Sequence, residues 1–115
     1  MTAAVYVPDT GDLIWTDVDP TKGREQAGRR PALVVSPAAF TENTGLAVVC
    51  PITSRVRPFP TSIVLPQGLP ITGEILTSHI RSIDTQARPV RYAGVAVSAG
   101  VAQLVRAKLD TFITI

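Results

Sequence analysis

The chain is poor in the groups that build metal centres and covalent cross-links. Of its 115 residues one is cysteine and one is histidine. A single cysteine excludes an internal disulfide, and with one histidine it excludes a soft-ligand metal site within one chain. Aromatic residues are only 5% of the sequence, too few for a wide stacking platform. No apolar run approaches the ~20 residues of a membrane-spanning helix. The N-terminus lacks the basic stretch and apolar run of a signal peptide. No Gly-x-Gly-x-x-Gly occurs, so no nucleotide cofactor is implied. Hydrophobic residues nonetheless make up 45% of the chain, enough to fill the core of one domain over 1–115. The reading is a soluble cytoplasmic protein, with Cys50, inside the apolar run Leu46–Pro51, as an inert core thiol.

Charge is scarce but uneven. The net value of +2 hides six acids and four bases up to residue 44, against three acids and seven bases beyond it. Nine of the eleven cations are arginines, whose planar forks match phosphates and stack on bases. The densest region is the run from Asp19 to Pro31, which holds Lys22, Arg24, Glu25, Arg29 and Arg30. Pro20, Gly23, Gly28 and Pro31 interrupt it and it has no apolar period, so it is a loop. A loop that charged is either a solvated connector or a site for an anionic ligand. A second basic loop, Ser54–Pro60, carries Arg55 and Arg57.

Around these loops the pattern is β. Short runs at Leu13–Val18, Pro31–Ser36, Leu46–Thr53, Ser62–Leu65, Glu74–Thr77, His79–Ile83 and Val90–Val97 are separated by Pro/Gly turns, with a helical turn at Ala38–Asn43. The period then changes. Val101, Leu104, Val105, Leu109, Phe112 and Ile113 share one face of a helix, with Ser98 as its N-cap. The expected fold is mainly β: a small, strongly bent barrel or sheet of SH3-like type, closed by a C-terminal helix.

Three segments decide what the charged loop is for. Gly11-Asp12-Leu13-Ile14-Trp15, the loop with Glu25-Gln26-Ala27-Gly28 and Arg30-Pro31, and Pro51-Ile52-Thr53-Ser54 together closely resemble the MazF/PemK (Kid) family of bacterial toxins. The resemblance runs over nearly the whole chain. It implies a PemK/CcdB-like fold, and the toxin of a type II toxin–antitoxin system that cleaves single-stranded RNA without metal or cofactor. The implied products are a 2′,3′-cyclic phosphate and a 5′-hydroxyl. The implied partners are a second copy of the chain and a small acidic MazE-like antitoxin lying over the RNA groove. The resemblance puts the active site on Arg30 and Thr53, with Glu25 nearby.

Chemistry then constrains the roles. RNA brings its own nucleophile, the 2′-hydroxyl, so the enzyme needs a proton acceptor, a cation and a hydrogen-bond donor. Arginine holds its proton to pH ~12, which makes Arg30 a charge stabiliser first and a proton donor second. Thr53 offers a hydroxyl to a non-bridging phosphate oxygen. Glu25 is the available base, or else it only positions Arg30 or the RNA. Lys22, Arg24, Gln26, Arg29, Ser54, Arg55, Arg57, His79 and Arg81 are the expected RNA-binding residues. Against this stand plainer readings: Arg30 paired with Asp17 or Asp19, Thr53 as an ordinary strand end, and Trp15 as core or interface packing. Ser78, His79 and Asp84 invite a triad, but Ser78 and His79 in a strand point to opposite faces. The family more often has Asp-Gln where this chain has Ser78-His79, so any contribution of that aspartate is missing here. The alternative function is that of CcdB, a gyrase-poisoning toxin of the same fold whose activity depends on a C-terminal Trp-Gly-Ile. This chain ends Phe112-Ile113-Thr114-Ile115.

Overall fold

The computed structural model describes residues 5–16 and 29–115. In chain order the elements are β1 (Asp12–Thr16), β2 (Arg30–Val34), α1 (Ala38–Thr44), β3 (Leu46–Thr53), β4 (Ser62–Val64), β5 (Glu74–Leu76), β6 (Arg81–Asp84), β7 (Val90–Ala96) and α2 (Ala99–Asp110). The strands run antiparallel in the order β4-β5-β3-β2-β1-β7, with β6 also paired to β3.

β3 is the pivot. Leu46 to Val49 pair with β6, and Ile52 and Thr53 pair with β5. Pro51, which has no N–H to give to a ladder, falls in the gap where the partner changes. The two faces of β1, β2 and β3 alternate as period 2 requires. Leu13, Leu33, Cys50 and Ile52 point to one side, where they meet Ile63, Leu65, Ile71 and Ile75 and, from α2, Val101 and Val105. Ile14, Ala32, Val34, Ala47, Val49 and Ile83 form a second cluster, with Tyr6 and Val90 packed on it. Tyr6 stacks on Tyr92 with ring centroids 5.2 Å apart and donates its hydroxyl to Asp12. Burial, then the Asp12 carboxyl, hold that hydroxyl far above the ordinary tyrosine range. Opposite β1 the register of β7 shifts between Asp12 and Ile14, a bulge that Gly94 makes possible with a φ of 92°.

Two sequence expectations change. His79 does not begin a strand. Thr77–His79 is a 3-10 turn, closed by the Ile80 N–H on the Thr77 carbonyl and held by the Thr77 hydroxyl on the Thr61 carbonyl. The helix is capped by Ser98 as expected, its Oγ accepting from the Val101 N–H at 3.2 Å. Its buried face is narrower than the sequence period implies. Val101 and Val105 are buried and Leu109 packs against the core, but Leu104 is 53% exposed. Leu104 lies ~60° to one side of Val101 on the helical wheel, outside the arc from Val101 to Leu109. The helix also ends at Asp110, which leaves Phe112 and Ile113 exposed beyond it.

Candidate active site

Arg30 opens β2 and Thr53 closes β3. The antiparallel register pairs Leu33 with Cys50 and Ala32 with Pro51. Continued two residues beyond the last pair, it sets Arg30 opposite Thr53. Both side chains line one open cavity of about 470 Å³, together with Trp15, Arg29, Pro51 and Ser54. Arg29 and Arg30 are exposed, and neither has an ion-pair partner among the described residues. The Thr53 Oγ1 accepts the Arg55 N–H at 3.2 Å, a turn that leaves its own hydrogen to donate into the cavity. Trp15 is partly buried, packs against the core and forms part of the cavity wall, so the packing reading is right and the residue also shapes the site.

A second cleft of about 400 Å³ adjoins the first and shares Thr53 and Leu76 with it. Arg55, Arg57, Phe59, Ser78 and His79 line it. The structure thus brings Arg29, Arg30, Thr53, Ser54, Arg55, Arg57 and His79 to two adjoining clefts. It leaves Arg81 out: Arg81 pairs with Val49 in the middle of β3 and lines neither cleft. Lys22, Arg24, Glu25 and Gln26 lie outside the described residues, as do Asp17, Asp19, Gly23 and Gly28. A Ser78–His79–Asp84 triad is not formed. Ser78 and His79 share one exposed turn rather than opposing faces of a strand, and the Asp84 Oδ1 is committed to the N–H groups of Gln86 at 2.9 Å and Ala87 at 3.1 Å.

Two features of the site escape a reading of the sequence. Glu74 is 2% exposed, accepts the Arg57 N–H on Oε1 at 3.0 Å and lines the second cleft. Its only trace in the sequence is an acid opening an otherwise apolar strand. Gly73 approaches the Thr53 carbonyl so closely that a Cβ there would overlap the oxygen, and its φ is 133°. Elsewhere the Cys50 thiol is fully buried, and desolvation pushes its pKa from 9.0 up to about 12. Among the described residues no group of three or more His, Cys, Asp or Glu is placed to hold a metal ion. None of the described helices is long and apolar enough to cross a membrane.

Comparison with known proteins agrees with this geometry. Residues 9–113 match the family described as PemK-like, MazF-like toxin of type II toxin-antitoxin system. The endoribonuclease toxin MazF of Escherichia coli K12 is 43% identical over 108 residues, covering 94% of this chain and 96% of that protein. The crystal structure of MazF from Deinococcus radiodurans superposes with a TM-score of 0.85 at 42% identity, covering 96% of this chain and all of that one. The toxin in a MazE–MazF structure from the same organism gives 0.84 at 39% identity, covering 96% of this chain and 99% of that one. These relatives are MazF toxins, so the gyrase-poison alternative is not favoured. An antiparallel sheet closed by a C-terminal helix, a cavity with Arg30 and Thr53 on facing strand ends, and a match over nearly the whole length place this chain in the PemK-like, MazF-like toxin family of type II toxin–antitoxin systems.

Proposed function

We propose that this single-domain chain is an endoribonuclease that cuts single-stranded RNA by attack of the RNA's own 2′-hydroxyl. The observation that carries the reading is the placement of Arg30 and Thr53 across one open cavity, with Arg29 beside them and neither arginine in an ion pair among the described residues. A phosphodiester seated between them meets a fixed cation and a hydroxyl donor. The 2′-oxygen attacks phosphorus as its proton leaves, the bond to the 5′-oxygen breaks, and that oxygen takes up a proton. The products are a 2′,3′-cyclic phosphate and a 5′-hydroxyl. Arg30 stabilises the extra negative charge on the phosphoryl oxygens, and Thr53 donates to one of them. The resemblance puts Glu25 near the site, where it is the available proton acceptor or else positions Arg30 or the RNA. Arg29, Ser54, Arg55, Arg57 and His79 bind the flanking RNA; Lys22, Arg24 and Gln26 of the charged loop join them. No step needs a metal ion or cofactor.

The proposed assembly is a cytoplasmic homodimer inhibited by an acidic antitoxin of the MazE type. The MazE–MazF structure of Deinococcus radiodurans supports the second partner. Support for the dimer comes from apolar side chains left exposed at the C-terminal end, Leu104, Phe112 and Ile113, and from a separate apolar groove of about 330 Å³ between the sheet and the other flank of α2. The test is incubation of the pure protein with a long, unfolded RNA in excess EDTA, followed by mapping of 5′-hydroxyl ends. Cleavage at defined sites is expected. Activity lost to the chelator and restored by Mg²⁺ would overturn the mechanism.

A further inference from the structure

We propose that the cleft beside Thr53 reads one nucleobase through Glu74, accepting from a base with an exocyclic amino group and disfavouring uracil. The proposal rests on the nuclease reading and adds to it a specificity residue.

Glu74 is a buried acid that the cleavage chemistry does not use. It lines a cleft otherwise furnished with Arg55, Arg57, Phe59 and His79. A buried carboxyl needs hydrogen bonds, and the described one is the Arg57 N–H on Oε1 at 3.0 Å. Each carboxyl oxygen has two lone pairs, so acceptor capacity remains for a donor entering from the cleft. A phosphate brings only acceptors and cannot pair with a carboxyl oxygen, although Arg55 and Arg57 in the same cleft can take it. A base brings N–H donors without charge.

The surroundings fit a base as well. The Phe59 side chain is 59% exposed at the cleft, a flat ring on which a base can stack. Its backbone is fixed by the Ser62 N–H on the Phe59 carbonyl at 3.0 Å, and the next residue by the Lys108 ammonium on the Pro60 carbonyl at 2.7 Å. Glu74 is the direct cross-strand partner of Thr53. Their Cα atoms are therefore roughly 5 Å apart, which puts the base that Glu74 reads next to the phosphate that Thr53 contacts. Adenine, cytosine and guanine each present an N–H₂ edge to such an acceptor, as in carboxyl readout of the cytosine amino group. Uracil presents one imide N–H flanked by carbonyl oxygens that face the carboxyl.

The test compares the parent with Glu74→Gln and Phe59→Ala. Glutamine keeps an oxygen for the Arg57 N–H but replaces the other acceptor with a donor. Cleavage ends are sequenced from a long RNA. In parallel, a pool of random hexamers with 2′-fluoro sugars, which cannot be cleaved, is selected for binding and sequenced. The parent should favour amino-bearing bases over uracil by about tenfold or more at one position beside the cut, as ~1.4 kcal/mol gives. Glu74→Gln should erase or reverse that ratio while leaving the other positions and the melting temperature unchanged. Phe59→Ala should weaken selection at that position without changing which base is preferred. An unchanged profile in Glu74→Gln overturns the proposal, and so does a parent that prefers uracil at that position. If the parent cleaves nothing, the nuclease reading falls, and the uncleavable pool still decides what Glu74 recognises.

Discussion

In the proposed mechanism Arg30 and Thr53 both stabilise one phosphate, and loss of either should slow the chemical step. Removing one transition-state donor typically costs ~10²–10³ in rate, so Arg30→Ala and Thr53→Ala should each cut kcat by that factor with the melting temperature preserved. Arg30→Lys should also be slow, because a point charge cannot reproduce the planar fork. Single-turnover cleavage of a labelled oligonucleotide checks this, and rates within a few-fold of the parent would mean the pair is misassigned. Cys50 gives a different prediction. Its thiol is raised to about 12 in the fold from 9.0, so below pH 9 it is neutral both folded and unfolded and adds no pH dependence. Above pH 9 the unfolded chain gives up that proton first, so stability should fall as pH rises towards 12. A thiol reagent at pH 8 should label Cys50 only after denaturant is added. The juxtaposition of Arg30 and Thr53 and the burial of Cys50 were legible in the sequence, one from an Arg-Pro and Pro-x-Thr-Ser resemblance and one from an apolar run. Glu74 was not, because an acid in a strand is indistinguishable from a solvated one until the fold shows that it is buried.

The loops are set by the elements that flank them. Gly73 enters β5 with a φ that side chains rarely adopt and with the Thr53 carbonyl against its Cα. Gly73→Ala should therefore both destabilise the protein and displace Thr53. A drop of several degrees in melting temperature together with a larger loss of cleavage is expected, and a stable, active variant would show that the strand ends shift freely. The basic loop between β3 and β4 should act on binding. Replacing Arg55 and Arg57 with alanine should flatten the salt dependence of RNA affinity by roughly 0.7 for each single-strand phosphate they neutralise. An unchanged slope would place these side chains away from the RNA. Strands were readable from their Pro and Gly punctuation, and β3 falls where the sequence placed it, at Leu46–Thr53. The 3-10 turn at Thr77–His79 was not, since it hangs on a hydroxyl bond to Thr61, sixteen residues away. The width of the helix face was likewise hidden, because only the sheet beneath decides how much of α2 is covered.

For the whole molecule, the exposed apolar residues at the C-terminal end predict a dimer at micromolar concentration by light scattering. A monomer would count against an RNA groove that spans two subunits. The groove walls, built from Arg29, Arg30, Arg55 and Arg57, also predict that an acidic antitoxin tail competes with RNA and loses affinity as salt rises. Simultaneous binding of both to an Arg30→Ala variant would exclude inhibition by occupation of the groove. One feature of the topology bears on when such inhibition must act. β1 carries Trp15 into the cavity, yet among the described residues its outer edge pairs with β7 alone, and the Thr16 hydroxyl bonds the Pro89 carbonyl at 3.0 Å, 73 residues later. Synthesis delivers residues from the N-terminus at ~5–20 per second. Arg30 and Thr53 thus leave the ribosome well before the strands that hold their walls in place. If RNA cleavage needs those walls, the nascent chain gains activity only when β7, in the last quarter of its length, has emerged, and the proposed inhibition by antitoxin is required from that moment.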